Sequence, residues 1–180
     1  MSIVEQPPEA AASIETLIVE QLVSVGVSLA AYLPDNWVVP LIEQVKGDSR
    51  IDAVAVAREP EIVGICAGAY LGGRRAVGIM GATGFLTCIS ELSTLGRRFQ
   101  LPMFLFVSNR GGPYEPTVHH ETQWRVARPV ADAIGLMSIV LDRREKLSQL
   151  GRAYESLRLH KRPCVAWITK SLLDDTASWE

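Results

Sequence analysis

Glu59 is followed by Pro60 directly after the apolar run "IDAVAVA", and together they open the segment "AREPEIVGICAGAYLGG". Proline fits the first position of a helix, which makes Glu59 the expected N-cap. Two chemistries are open to it. A carboxylate in a first helical turn is a favourable cap, and a carboxylate at a strand end can exchange protons as a general acid or base. The segment then places Gly64, Gly68 and Gly72 four residues apart, with Ala67 beside them. Each glycine costs a helix roughly 1 kcal/mol relative to alanine. A stripe this bare implies close contact with a backbone, another helix or a flat ligand.

Three further stretches carry reactive side chains. The loop "SNRGGPYEPTVHHE" holds Arg110, Gly111, His119 and His120, "YLPDNW" holds Asp35, and "MGATGF" holds Gly81, Thr83 and Gly84. The paired histidines suit proton transfer or a solvated loop. They have no third partner at a zinc spacing, so no metal ligands are assigned. Asp35 either caps the next helix or faces a ligand. "MGATGF" is G-x-x-G without the remaining glycine of a dinucleotide turn and without the lysine of a phosphate loop, so it reads as an ordinary strand-to-helix turn.

The elements that must position these groups alternate regularly. After a loose tail over residues 1–12 comes an amphipathic helix, Ser13–Gly26, with Ile14, Leu17, Ile18, Leu22 and Val25 on one side. Strands are expected at "VSLAAYL", "IDAVAVA", "RAVGIM", "MFLFVS", "LMSIVL" and "CVAWIT". Helices are expected at "NWVVPLIEQVKG", over the glycine segment, over Gly84–Phe99, after the histidine loop, and from Arg143 to about Leu159. Asp142 and Glu145 have capping-box spacing for the last of these. Most of the strands are apolar on both faces, which predicts an α/β three-layer sandwich around a six-stranded, mostly parallel sheet. In such sheets ligands gather at the carboxyl ends of the strands, where all four reactive stretches lie. One domain is expected, over residues 13–175.

Composition narrows the function. With 48% hydrophobic residues and a net charge of −2, the chain has no basic groove for nucleic acid. No apolar run reaches the roughly 18 residues of a membrane span, and the start lacks a signal-peptide pattern. Cys66, Cys88 and Cys164 each sit in apolar surroundings and read as small core residues. A cytoplasmic location is expected.

The order "YLPDNW", "AREPEIVGICAGAYLGG", "MGATGF", "VSNRGGPYEP…HHETQW" resembles the pyrimidine-binding (Pyr) domain of thiamine-diphosphate enzymes, over about Ile14 to Lys170. The likeness is greatest to the alpha subunit of sulfopyruvate decarboxylase and the matching part of phosphonopyruvate decarboxylase. In that family a glutamate nine residues before a helix glycine touches the aminopyrimidine ring, and nine before Gly68 is Glu59. The resemblance implies that Glu59 shares a proton with N1′ of thiamine diphosphate, with its pKa raised by burial against the opposing pull of the helix terminus. It also places Pro34, Thr83 and Gly84 at the cofactor, Asp35 and Arg110 at the substrate, and His119 and His120 in proton transfer. The glycine stripe would pack against a symmetry mate or a partner domain.

Departures matter too. Where relatives carry "MQxSGxGN", this chain has "MGATGFLT", which keeps the Ser-Gly step as Thr83–Gly84 but replaces polar groups of the substrate pocket with Gly81 and Thr87. The family's Gly-Asp-Gly diphosphate and magnesium motif is missing, since the only Gly-Asp is "KGDSR". The implied function is the alpha subunit of a split 2-oxo acid decarboxylase. A beta subunit would hold the diphosphate and Mg2+, in a hetero-oligomer such as α2β2 or larger. A thiamine-dependent carbon–carbon lyase or synthase, or a non-catalytic α/β binding module, are the alternatives.

Overall fold

In the computed structural model all six apolar runs become strands, and every neighbouring pair is parallel. The structure describes residues 12–174 apart from 113, 114 and 116, and the side chain of His119 also lies outside the description. The loose tail expected over 1–12 therefore falls almost wholly outside the described residues. In chain order the elements are α1 (Ile14–Ser24), β1 (Leu29–Tyr32), α2 (Val39–Gly47), β2 (Asp52–Ala55), α3 (Glu59–Leu71) and β3 (Ala76–Gly81). Then follow α4 (Ala82–Thr87), α5 (Ile89–Glu91), a π-helix over Leu92–Arg98 and β4 (Phe104–Ser108). After a 3-10 turn at Val118–His120 come α6 (Glu121–Ala133), β5 (Met137–Leu141), a 3-10 stretch at Arg144–Gln149, α7 (Leu150–His160), β6 (Cys164–Ile168) and α8 (Lys170–Leu173).

The sheet order is β2-β1-β3-β4-β6-β5. Alternate strand residues feed two separate cores. Tyr32, Ile79 and Phe106 pack with α1, α2 and α7, while Ala31, Met80 and Val107 pack with α3, α4 and α6. This is the three-layer sandwich expected from the apolar runs. The chain steps from β1 outward to β2 and then returns past β1 to β3, so the helices after β1 and β3 leave on opposite faces. The crevice between those strand ends is where a doubly wound sheet binds ligands.

Four expectations need correction. Strand β2 lies at the sheet edge and is largely exposed, so it is not buried on both faces. The helix expected over Gly84–Phe99 starts at Ala82, breaks at Cys88 and finishes as the π-helix. The segment after Asp142 begins as a 3-10 stretch capped by Arg143. Asp142 bonds to Arg143 and Lys146 there in place of forming a capping box. The N-cap of α3 is Arg58, in extended conformation, so Glu59 is the first helical residue and Pro60 the second.

Glycines decide how closely α3 sits on the sheet. A Cβ on Gly78 would lie 2.5 Å from Cγ2 of Ile62 and 2.6 Å from Cδ2 of Leu105. Gly78 thus lets α3 seat against β3. The stripe behaves differently. Gly64 and Gly68 are exposed, and a Cβ on either would meet nothing within 4 Å. Among the described residues, the close neighbour expected for this stripe does not exist.

The contrast is testable in the isolated chain. Gly78→Ala should lower unfolding stability by about 1–3 kcal/mol through overpacking. Gly68→Ala should raise it by up to about 1 kcal/mol through helix propensity. Denaturant unfolding midpoints decide between these signs, and a destabilised Gly68→Ala would show a neighbour on that face.

Candidate active site

Glu59 lies half-buried at the amino end of α3, and its carboxylate rests on the turn that follows β3. A Cβ on Gly84 would fall 2.2 Å from its Oε1 and 2.4 Å from its Cδ. Only glycine leaves room for Glu59 there, so "MGATGF" is more than an ordinary turn. Glu59 does not cap its helix. Nor does Glu61, whose Oε2 reaches back to accept the backbone N–H of Ala57, ahead of the helix, at 3.0 Å. Among the described residues no hydrogen bond or ion pair engages the Glu59 carboxylate. Its charge is felt by the Cys88 thiol, which burial pushes up to about 12 with Glu59 and Glu91 adding to the effect. All three cysteines are free and buried, as expected of core residues, and none has the environment of a nucleophile.

A second group forms beside the first. A Cβ on Gly81 would lie 3.0 Å from Oδ2 of Asp35, so Asp35 packs on the same β3–α4 turn that carries Gly84. α2 is N-capped by Val38 with no side-chain cap bond, so the capping expected of Asp35 is not formed. Oδ1 of Asp35 accepts the N–H of Trp37 at 3.2 Å, fixing the turn into α2. Its Oδ2 faces Nη1 of Arg110 at 3.5 Å. The guanidinium lies over the Trp37 ring, 5.3 Å from its centre.

Glu115 organises this group, although sequence reasoning passed over it. Its side chain is only 8% exposed. Oε1 accepts from Nη2 and Nε of Arg110 at 2.9 and 3.2 Å, and from Nδ1 of His120 at 2.8 Å. Oε2 accepts the N–H of Gly111 at 2.5 Å. Burial opposes the charge on Glu115, but these donors outweigh it and hold the carboxyl below the usual glutamate range. Gly111 makes the geometry possible. It has φ of +98°, and a Cβ there would collide with the backbone of His120 at 1.9 Å. The available signal was a lone acid midway between an arginine and a histidine in a glycine-rich loop.

Of the residues expected at a site, Glu59 and Gly84 therefore meet, Asp35 meets Arg110, and Arg110 and His120 meet through Glu115. Thr83 and Pro34 are exposed at the ends of β3 and β1, next to both groups in sequence. The His119 side chain lies outside the described residues. Ser108 Oγ and Asn109 Oδ1, immediately before Arg110, are buried and find no hydrogen-bond partner among the described residues. Asp48 of "KGDSR" is committed elsewhere. Hydrogen bonds from the Arg50 side chain and backbone lower its pKa to about 2. Among the described residues no three His, Cys, Asp or Glu side chains are placed to share a metal, and no helix is long and apolar enough to cross a membrane.

No protein-family model matches the chain. It is similar to the sulfopyruvate decarboxylase subunit alpha of Methanococcus maripaludis, 30% identical over 86 residues that cover 48% of this chain and 52% of the relative. It is also similar to sulfopyruvate decarboxylase of Methanosarcina acetivorans, 25% identical over 92% of this chain and 43% of that protein. Phosphonopyruvate decarboxylase of Streptomyces viridochromogenes is 25% identical over 80% of this chain and 37% of its own length. These three matches thus span about half or less of each relative's own length.

The carboxylate hub gives a pH signature. A glutamate with a depressed folded pKa adds stability that is present above its unfolded pKa and is lost as pH falls through the folded one. Glu115→Gln should cost about 1–3 kcal/mol near neutrality. That difference should shrink in acid, where the wild-type carboxyl is itself protonated. Chemical unfolding of both proteins from pH 7 down to pH 3 measures it. A difference independent of pH would mean the charge of Glu115 contributes nothing.

Proposed function

We propose that this chain is the pyrimidine-side (alpha) subunit of a thiamine-diphosphate-dependent 2-oxo acid decarboxylase. The observation that carries the reading is the Glu59 carboxylate, half-buried, uncommitted to its own helix and seated on a glycine at the mouth of the β1/β3 crevice. Glu61, in the same first turn, is engaged with the Ala57 N–H, whereas the Glu59 carboxylate is left for a ligand. An uncommitted carboxyl in a partly dry site is what a weakly basic ring nitrogen such as N1′ requires for proton exchange. The residues present therefore fit the aminopyrimidine end of the cofactor. When bound, thiamine diphosphate would supply the nucleophilic carbon and the electron sink that decarboxylation of a 2-oxo acid demands.

The chain's own residues divide the remaining work. Glu59 holds and exchanges the proton at N1′. Gly84 clears the space that keeps Glu59 in reach, with Pro34 and Thr83 bordering the ring. Arg110 presents Nη1 to an anionic substrate, because its Nε/Nη2 edge is already held by Glu115. Asp35, on the same guanidinium, limits how much negative charge the site will take. His120 moves protons on the substrate side, with His119 beside it in sequence.

The diphosphate and Mg2+ belong, in this reading, to a partner subunit. Two observations support that. Asp48, in the only Gly-Asp of the chain, is tied to Arg50. In addition, nearly the whole chain matches under half of a relative named simply as the decarboxylase, while the shorter relative is named as a subunit alpha. The exposed Gly64 and Gly68 face of α3 is where the partner or a second copy would lie.

Glu59→Gln tests the reading. The amide is isosteric and Glu59 caps nothing, so folding and assembly should be retained. Deuterium exchange at C2 of thiamine diphosphate, measured in the complex with the partner subunit, should slow by about a hundredfold or more. Exchange at the wild-type rate would show that the carboxylate has no part in activating the cofactor.

A further inference from the structure

A guanidinium and an imidazole share one oxygen in the loop after β4. Oε1 of Glu115 accepts from Nη2 and Nε of Arg110 and from Nδ1 of His120, while Oε2 takes the Gly111 N–H. An ionised carboxylate has no proton to give, so across the 2.8 Å contact the imidazole must be the donor. His120 therefore carries its proton on Nδ1, and in the neutral ring the lone pair is on Nε2. The side chains of Glu115 and His120 are 8% and 18% exposed, so the contact sits in a weakly screening environment.

Resting on the decarboxylase reading, we infer that Glu115 is a positioning residue that locks His120 in the Nδ1–H tautomer and makes Nε2 the atom at which His120 takes up and releases a proton. The proton balance is closed within the ring. Uptake at Nε2 gives an imidazolium whose Nδ1–H bond to Glu115 is already in place, and whose charge faces the carboxylate. Release from Nε2 restores the starting tautomer without moving Glu115. A carboxylate behind a histidine acts this way elsewhere by fixing tautomer and orientation, and its loss leaves the geometry but the wrong tautomer. Because the same oxygen also holds Arg110, the proton-transfer group and the anion-facing guanidinium are set in one register. Gly111 fixes that register, since no other residue fits its left-handed turn against the His120 carbonyl.

The test reads the tautomer directly. The chain has three histidines, so ring 15N spectra of histidine-labelled protein hold only three imidazoles, and His120→Gln assigns the signal. In wild-type protein with the ring neutral, His120 should show a protonated Nδ1 and an unprotonated Nε2. In Glu115→Ala the Nδ1–H form should fall from the dominant to the minor species. In the active complex, Glu115→Gln should lower kcat by about a hundredfold or more. A wild-type Nε2–H tautomer overturns the inference. So does a folded Glu115→Ala that keeps Nδ1–H, or a Glu115→Gln complex with kcat within about twofold of wild type. If Glu115→Ala fails to fold, the wild-type spectrum alone still decides. The spectra need no turnover, so failure here is separate from failure of the decarboxylase reading, which the C2 exchange of Glu59→Gln decides.

Discussion

The architecture of the site depends on two missing methyl groups. Gly78 lets Ile62 of α3 press into the sheet, and Gly84 lets the Glu59 carboxylate lie on the turn after β3. A side chain at either position would lift the helix or turn its first residue away. The carboxylate is therefore positioned by van der Waals exclusion, with no hydrogen bond spent in holding it. That distinction has chemical weight. A carboxylate held by donors has its oxygens already engaged, whereas one held by shape keeps them open to a ligand.

Glu115 shows the opposite solution a few strands away. It is held entirely by donors, from Arg110, Gly111 and His120, and its charge is locked in consequence. One rim of the sheet thus carries two carboxylates of different character. Glu59 is left without a hydrogen-bond partner among the described residues, and Glu115 is made a negative point around which a guanidinium and an imidazole are arranged. Asp35 joins the two halves, since it packs on Gly81, three residues from Gly84, and faces Arg110.

Much of this was legible in the sequence, for identifiable reasons. The six strands follow from apolar runs too short for helices and bounded by glycine, proline or polar residues. Helices between them require parallel pairing. The site's place at the strand ends follows from that topology. The first turn of α3 was not legible to the residue. Glu59 and Glu61 are both acids within reach of the helix start, and the extended backbone of Arg58 makes it the N-cap, with Glu59 first in the helix and Glu61 turned back to the Ala57 N–H. Glu115 was missed because its importance rests on a three-dimensional return. The loop folds back through Gly111 to bring residues five apart on either side onto one carboxylate. The glycine stripe was read as evidence of contact, and within this chain it is bare.

That bareness constrains what α3 can be. The helix is apolar on the face that meets the sheet, through Ile62, Val63 and Cys66, and after Glu61 its outer face carries no charge and is mostly small. Gly64, Gly68 and Gly72 are exposed there, with Ala69 half-buried and Leu71 72% exposed at the end. A helix at a solvent boundary ordinarily alternates apolar with charged faces, whereas one that is apolar or small all round is buried on both sides. Solvation alone gives no reason to choose glycine over lysine or glutamate, both of which favour the helix more. The outer face accordingly has a composition that solvation alone does not explain, whereas Glu59, at the first position of the same helix, lies with the sheet-facing side through its contact with Gly84.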